Sequence, residues 1–373
     1  MAQTNPFLIE GYISEEYFCD RQQETALLAR HIGNGCNVAL IAERRIGKSG
    51  LIHNYFHRPQ IAGSHYCFYI DIYETKNVSE LAYALGKSIL TTLKPLGRKV
   101  WERFLGVLTS IRSGMTFDIN GNPEWSLTLG EIKQPDVVLD EIFAYLANAD
   151  KPCIVAIDEF QVIADYPEKN VEATLRKHIQ NCHNAHFIFS GSKRHMMAEI
   201  FATSARPFYN STTIMGLQPI DRATYMDFAN GHLAKCGRSI TPEAFDGLYD
   251  SFNGITWYIQ YILNILYTMP LNSSHITPEN VQTAIGNILQ QQSFVYSTLL
   301  YQLTPRQKQL LRAIAAEGAV SSIMSKRFLQ NYSMTSSMVQ TAAKILLDRD
   351  FITLNDGIYQ VYDRFLRLWL LGK

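Results

Sequence analysis

Residues 37–56 constrain this chain most. NVALIAE, residues 37–43, is a strand-like apolar run, and it passes directly through Ala42-Glu-Arg-Arg-Ile-Gly-Lys-Ser49 into the helical GLIHNYF. A strand that turns into a helix through Gly-Lys-Ser forms a loop whose backbone N–H groups wrap a phosphate. The helix then points its positive end at the anion. Gly47 lets the backbone approach closely, Lys48 neutralises phosphate charge, and Ser49 is placed to ligate magnesium. The candidate cradle is Ala42, Glu43, Arg44, Arg45, Ile46, Gly47, Lys48, Ser49 and Gly50. This motif alone leaves open a chance Gly-Lys-Ser in a basic turn.

A second motif removes most of that ambiguity. CIVAIDEF, residues 153–160, is an apolar strand that ends in two adjacent carboxylates. Asp158 is expected to hold magnesium, directly or through water, and Glu159 to polarise the attacking water as general base. Farther on, HFIFSGS ends in hydroxyls. Ser190 or Ser192 is then available to a γ-phosphate or to the lytic water, the alternative being a solvated strand end. Arg206 follows in SARPFYN, either as an arginine finger or trans-acting sensor, or as an ordinary surface arginine. The catalytic candidates are Lys48, Glu159, Ser190 and Arg206, and the metal ligands Ser49 and Asp158. ATP and Mg2+ are the cofactors these motifs imply.

The surrounding pattern is α/β. Strand-like runs at NVALIAE, HYCFYIDIYET, CIVAIDEF, HFIFSGS and STTIMGLQ alternate with helical stretches such as SELAYALGKSILTTL. Continuous apolar strands separated by helices indicate a parallel sheet covered on both faces. SGMTFDINGNPEWSLTLG, residues 113–130, carries Asn-Gly at its centre and reads as an inserted β-hairpin. After about Gln218 the strands stop, and residues 219–290 read as all-helical. From residue 300, Thr304-Pro305 with Gln307 forms a capping box. Helical stripes follow, then FITL, Asn355-Asp356-Gly357 and IYQVY. Three helices followed by a hairpin is the order of a winged helix-turn-helix. The expected organisation is 1–218 as the nucleotide-binding core, 219–299 as a helical lid and 300–373 as the winged helix.

These residues together resemble the prokaryotic AAA-type P-loop ATPases, the archaeal and Bacteroides-type group related to the STAND and origin-initiator ATPases. Phe18-Cys-Asp-Arg21-Gln-Gln-Glu24 resembles the group's box ahead of the phosphate loop, which implies that Phe18 and Arg21 lie near adenine. Glu43-Arg44-Arg45 before Gly-Lys-Ser resembles its Arg-Arg form of Walker A, and Ile157-Asp-Glu-Phe-Gln161 its Walker B. Gly191-Ser192 ends the sensor strand, and Asn253-Gly254 opens the lid helix. The resemblance covers nearly the whole chain. It departs from the pattern at Ala42, which replaces a glycine, at Gly254-Ile-Thr-Trp, which lacks a second-sensor arginine, and at Asn210, where arginine-bearing members have Gly-Arg. These departures imply weak turnover.

Composition bounds the remaining choices. Lys+Arg and Asp+Glu are both 34, so the chain as a whole is not a basic nucleic-acid coat. From residue 300 onward there are ten basic and five acidic residues, a local +5. Ser336, Ser337, Gln340, Thr341 and Lys344 are the candidate groove contacts of a recognition helix, with Lys326, Arg327 and Arg349 on phosphates. Double-stranded DNA is therefore one partner reading; a protein partner, self-association or intramolecular docking is the other. The six cysteines are scattered without C-x-x-C spacing and read as reduced thiols of a cytoplasmic protein. The N-terminus lacks the features of a signal peptide. The apolar run from Gly254 to Met269 is shorter than the roughly 20 residues of a membrane span and reads as a buried helix. His53 and His57 read as helix surface, and Asp71 either supports the site or caps the next helix. Three functional readings follow: an ATP-driven switch that positions the winged helix, a DNA-binding regulator with a structural, slowly hydrolysed nucleotide, and a non-enzymatic protein-interaction scaffold.

Overall fold

The computed structural model describes residues 5–110, 115–118, 123–125, 132–355 and 357–372. The chain forms two compact units, Glu10–Ile220 and Met1–Ile9 with Asp221–Lys373.

In the first unit the helices are α1 (Gln22–Gly33), α2 (Lys48–Phe56), α3 (Pro59–Ala62), α4 (Val78–Leu93), α5 (Arg98–Val107), α6 (Pro135–Asn148), α7 (Val171–Asn181) and α8 (Arg194–Ala202). The strands are β1 (Val38–Ile41), β2 (Tyr66–Asp71), β3 (Met115–Phe117), β4 (Pro123–Trp125), β5 (Cys153–Asp158), β6 (Ala185–Gly191) and β7 (Thr213–Gly216). Five of these strands make one parallel sheet in the order β2-β5-β6-β1-β7. All six residues of β5 are buried, as a central strand covered on both faces requires. Its pleat divides the core. Cys153, Val155 and Ile157 enter the cluster containing Leu81, Leu85 and Ile142, whereas Ile154 and Ala156 join Leu28, Leu51 and Ile52 on the other face. β3 and β4 pair antiparallel at the inserted hairpin; the remainder of that 113–130 insertion, apart from Asp118, lies outside the described residues.

The register sets what lies at the carboxyl ends of the strands. Asp71 pairs with Asp158, and Ile41 pairs with both Gly191 and Gly216. The phosphate-loop, carboxylate and hydroxyl motifs thus end at one edge of the sheet, the edge where open α/β sheets bind ligands. Just past that edge Phe160, Phe189, Phe201 and Phe208 form a closed aromatic tetrad, every pair of rings lying 4.5–5.6 Å apart. The tetrad anchors the 3-10 turn that follows Glu159.

The second unit is mainly helical: α9 (Arg222–Ala234), α10 (Pro242–Ser251), α11 (Thr256–Thr268), α12 (Pro278–Tyr301), α13 (Pro305–Glu317), α14 (Lys326–Asn331), α15 (Ser336–Asp348) and α16 (Arg364–Leu371). The expectation of an all-helical stretch after Gln218 needs one correction. β8 (Ser239–Ile240) and β9 (His275–Ile276) form a short parallel ladder there, too short to leave a hydropathy period. The apolar run after Gly254 is α11, with Tyr258, Ile259, Ile262, Leu263 and Leu266 buried. Among the described residues no helix is long and apolar enough to cross a membrane.

The capping box at Thr304 forms: Gln307 N–H donates to Thr304 Oγ1 at 3.4 Å, and Thr304 N–H donates to Gln307 Oε1 at 2.9 Å. Helices α13, α14 and α15 lead into the antiparallel β10 (Ile352–Asn355) and β11 (Ile358–Val361), which is the winged-helix order. α16 then returns to the preceding helices. Phe365 packs edge-on against Tyr258 and Phe252, Arg364 N–H donates to the Tyr258 hydroxyl, and Trp369 Nε1 donates to Ser293. Residues 5–9 join this unit as well. Asn5 Nδ2 donates to Asn264 O, Asn264 Nδ2 donates to Phe7 O, and the Phe7 ring meets Phe228 and Tyr267.

Phe208→Ala, which opens the tetrad, is expected to lower the unfolding free energy by about 3–5 kcal/mol in urea titration.

Candidate functional site

The site starts where β1 ends. Ala42 and Ile46 are buried, Arg45 adopts φ +67° and Gly47 φ +102°, and α2 begins at Lys48. No side chain caps α2, so its first turn presents backbone donors and the positive end of the helix dipole. Lys48 is buried, and its ammonium donates to the carbonyls of Ala42 and Glu43, both at 3.2 Å. Burial pushes it below the ordinary lysine range, against the pull of Glu159 and Asp158. Phe18 packs on the start of α2; a Cβ at Gly50 would stand 3.1 Å from its ring.

Arg21 does something the sequence did not suggest. It is buried, in a left-handed backbone conformation, and its guanidinium donates to Ile46 O at 3.1 Å, to Gln218 O at 2.6 Å and to Glu24 at 2.7 Å. It therefore clamps the phosphate loop to the segment that leaves β7. The planar fork of arginine suits three divergent acceptors.

The strand ends bring the carboxylates to the loop. Ser49 Oγ donates to Asp158 Oδ2 at 2.8 Å, closing a contact across 109 positions of chain. The Tyr69 hydroxyl, from β2, donates to the same oxygen, while Glu159 N–H donates to Asp158 Oδ1 at 3.0 Å. Burial raises the Asp158 carboxyl, but Tyr69, Ser190, Ser49 and the Lys48 ammonium outweigh it and hold the group below the usual carboxylate range. Ser190 is fully enclosed beside Asp158, although no hydrogen bond of normal geometry joins its Oγ to a partner.

Glu159 adopts φ +55°, a conformation uncommon for a residue with a side chain. Its Oε2 accepts from Gln161 Nε2 at 2.5 Å and from Ser192 Oγ at 2.8 Å. Of the two serines left open by the sequence, Ser190 meets Asp158 and Ser192 meets Glu159. Gly191 lies between them because a Cβ there would fall 2.4 Å from both Gln161 Oε1 and Met197 Sδ. Arg206 pairs with Glu172 at 2.7 Å, with Glu199 at 3.6 Å beyond. Burial raises the Glu172 carboxyl despite this arginine.

Three further placements sharpen or correct the sequence reading. His53 is not plain helix surface: its ring lies 4.5 Å from Tyr69, and burial lowers its basicity. Asp71 does not cap α4, a role taken by Asn77; it accepts from Tyr73 N–H at 2.8 Å, and burial raises it. Arg349 reaches Gln302 and the Phe351 ring. A cavity of about 1020 Å³ lies apart from the phosphate loop. It runs along the open edge of β2, lined by His53, Tyr69, Asp71, Tyr83 and Lys87.

A hydroxyl and a carboxylate meeting at the first turn of an uncapped helix, beside a buried ammonium, form a donor set that fits magnesium and a polyphosphate. The residues predicted for that role, Lys48, Ser49, Asp158 and Glu159, are brought together. Tyr69 and Gln161 complete the arrangement. Tyr69 carried no signal of its own, since an alternate residue of an apolar strand looks the same whether it faces core or site.

The comparisons agree with this architecture. Residues 294–372 match a family profile described as a probable winged helix domain. The whole chain is similar to the Walker-type ATPase of Pyrococcus abyssi, with 18% identity, a TM-score of 0.65 and coverage of 98% of this chain and 99% of that one. It is similar to the ORC2 protein of Aeropyrum pernix, solved as ADPNP–ADP complexes, with 13% identity, TM-score 0.58 and coverage of 100% and 98%. It is also similar to the Aeropyrum pernix ORC1 protein in complex with DNA, with 12% identity, TM-score 0.53 and coverage of 95% and 93%. No curated protein sequence matches it. The fold is that of AAA-type P-loop ATPases, a helix-covered parallel sheet followed by helices and a C-terminal winged helix.

Arg21→Ala removes the guanidinium that donates to the Ile46 and Gln218 carbonyls. It is expected to cost about 3 kcal/mol of stability in denaturant titration and to weaken nucleotide binding in calorimetry.

Proposed function

We propose that this protein is an ATP-binding switch that hydrolyses ATP slowly and uses its nucleotide state to govern a DNA-binding winged helix. The observation that carries the reading is the Ser49–Asp158 contact at 2.8 Å with the buried Lys48 beside it. In this reading the backbone of residues 42–50 cradles the β- and γ-phosphates, and Lys48 offsets their charge. Ser49 and Asp158 hold Mg2+, which when bound supplies electrostatic stabilisation of the phosphoryl oxygens. Glu159 orients and polarises the attacking water, and Ser192 with Gln161 sets its carboxylate. Phe18 lines the adenine side and Arg21 holds the loop that carries Ile46. Ser190 acts through Asp158. The functional division is 1–218 as core, 219–299 as lid and 300–373 as reader.

Double-stranded DNA is the partner that the winged helix favours. Ser336, Ser337, Gln340, Thr341 and Lys344 are exposed along α15, and Lys326 and Arg327 are exposed on α14. The local charge of +5 suits a phosphate backbone. The archaeal ORC1 neighbour was solved with DNA.

One observation favours a second reading, in which the nucleotide is held rather than turned over. Glu159 is engaged by Gln161 and Ser192, and Arg206 is engaged by Glu172.

Phosphate release from ATP, measured for the wild type and Glu159→Gln with and without duplex DNA, decides between the two. The first reading expects turnover that DNA changes and that falls about 100-fold or more in the variant. Mg2+-dependent ATP binding with no release under either condition supports the second. Absence of any ATP binding removes both.

A further inference from the structure

The geometry points to Tyr69 as a positioning residue of the magnesium site, one that fixes Asp158 for the metal by a hydrogen bond from across the sheet. The inference rests on the phosphate-loop reading above and adds to it a residue that neither motif contains.

Asp158 stands at the end of the fully buried central strand. A carboxylate there needs donors, and their directions determine which lone pairs remain for a cation. Three donors engage it. The Ser49 and Tyr69 hydroxyls both bind Oδ2, and Glu159 N–H binds Oδ1. Ser49 is itself a candidate metal ligand, and Glu159 N–H belongs to the next residue of the same strand end. Of the three, Tyr69 alone is neither a candidate metal ligand nor part of the strand end that carries Asp158: it stands on the outermost strand β2, two residues before Asp71, which pairs with Asp158. Were Ser49 to turn its oxygen towards a metal, the Tyr69 hydroxyl would still hold Oδ2 and so keep the Asp158 carboxylate oriented for the cation or its water. The tyrosine ring is itself held: His53 lies against it at 4.5 Å from α2, the helix that begins with Lys48 and Ser49. Tyr69 therefore ties α2, β2 and β5 together at the point where the metal would sit.

The test separates metal from nucleotide. ADP affinity is measured by calorimetry in Mg2+ and in EDTA for the wild type, Tyr69→Phe and Tyr69→Ala. Tyr69→Phe keeps the ring against His53 and removes only the hydroxyl. It is expected to leave the affinity in EDTA within about twofold of wild type. The gain in affinity on adding Mg2+ should shrink roughly tenfold, the loss expected for one hydrogen bond to a charged group. A purely structural role for the ring predicts instead that Tyr69→Phe keeps the full Mg2+ gain and that only Tyr69→Ala suffers; that result overturns the assignment. If the wild type binds no ADP, or gains nothing from Mg2+, the phosphate-loop reading itself fails. A second readout does not depend on the variants folding well. With 3-fluorotyrosine placed at position 69, its 19F resonance is expected to move when Mg2+ is added to the ADP-bound protein. An unmoved resonance counts against the assignment.

Discussion

The structure depends first on the register of one parallel sheet. Asp71 stands level with Asp158, and Ile41 level with Gly191 and Gly216. A slip of one residue in β5 would turn Asp158 into the core and Val155 towards the opposite face, because the side-chain period of a strand is two. The two dissimilar cores on the faces of the sheet forbid that slip: one takes Val155, Phe187 and Phe189, the other Ile154, Ala156 and Ile188. The chemistry at the strand ends is thus positioned by hydrophobic burial several residues away.

Around that register, a few long-range polar contacts convert proximity into geometry. Arg21 binds carbonyls at Ile46 and Gln218, and Ser49 and Tyr69 converge on one oxygen of Asp158. Glu159, by contrast, is set by a locally uncommon backbone angle and by the aromatic tetrad just beyond it. A left-handed residue persists where its surroundings over-determine it, and such residues gather at functional sites. The second unit is built differently. Its winged helix is joined to the preceding helices through Tyr258, Phe252 and Phe365, so the DNA-reading candidate residues stand on a helical body and not on a free module.

Much of this was legible beforehand. The phosphate loop, the Asp-Glu strand end and the capping box at Thr304 are local codes, each read from a handful of adjacent residues whose spacing is dictated by one turn or one strand. The short β8–β9 ladder was not legible, since two residues carry no period. Nor was the partner of Arg206, because Glu172 is brought to it by the packing of α7, not by sequence distance.

The amino-acid sequence by itself determined the fold class, the order of its parts and the candidate residues for phosphate and magnesium, because strand, loop and cap preferences are local. Only the tertiary structure decided which side chains share an oxygen. It turned Arg21 into a clamp, divided Ser190 and Ser192 between Asp158 and Glu159, and brought Tyr69 from an edge strand to Asp158. Those outcomes depend on strand order and pleat direction, which result from burying two different core faces at once and are written in no single stretch of chain.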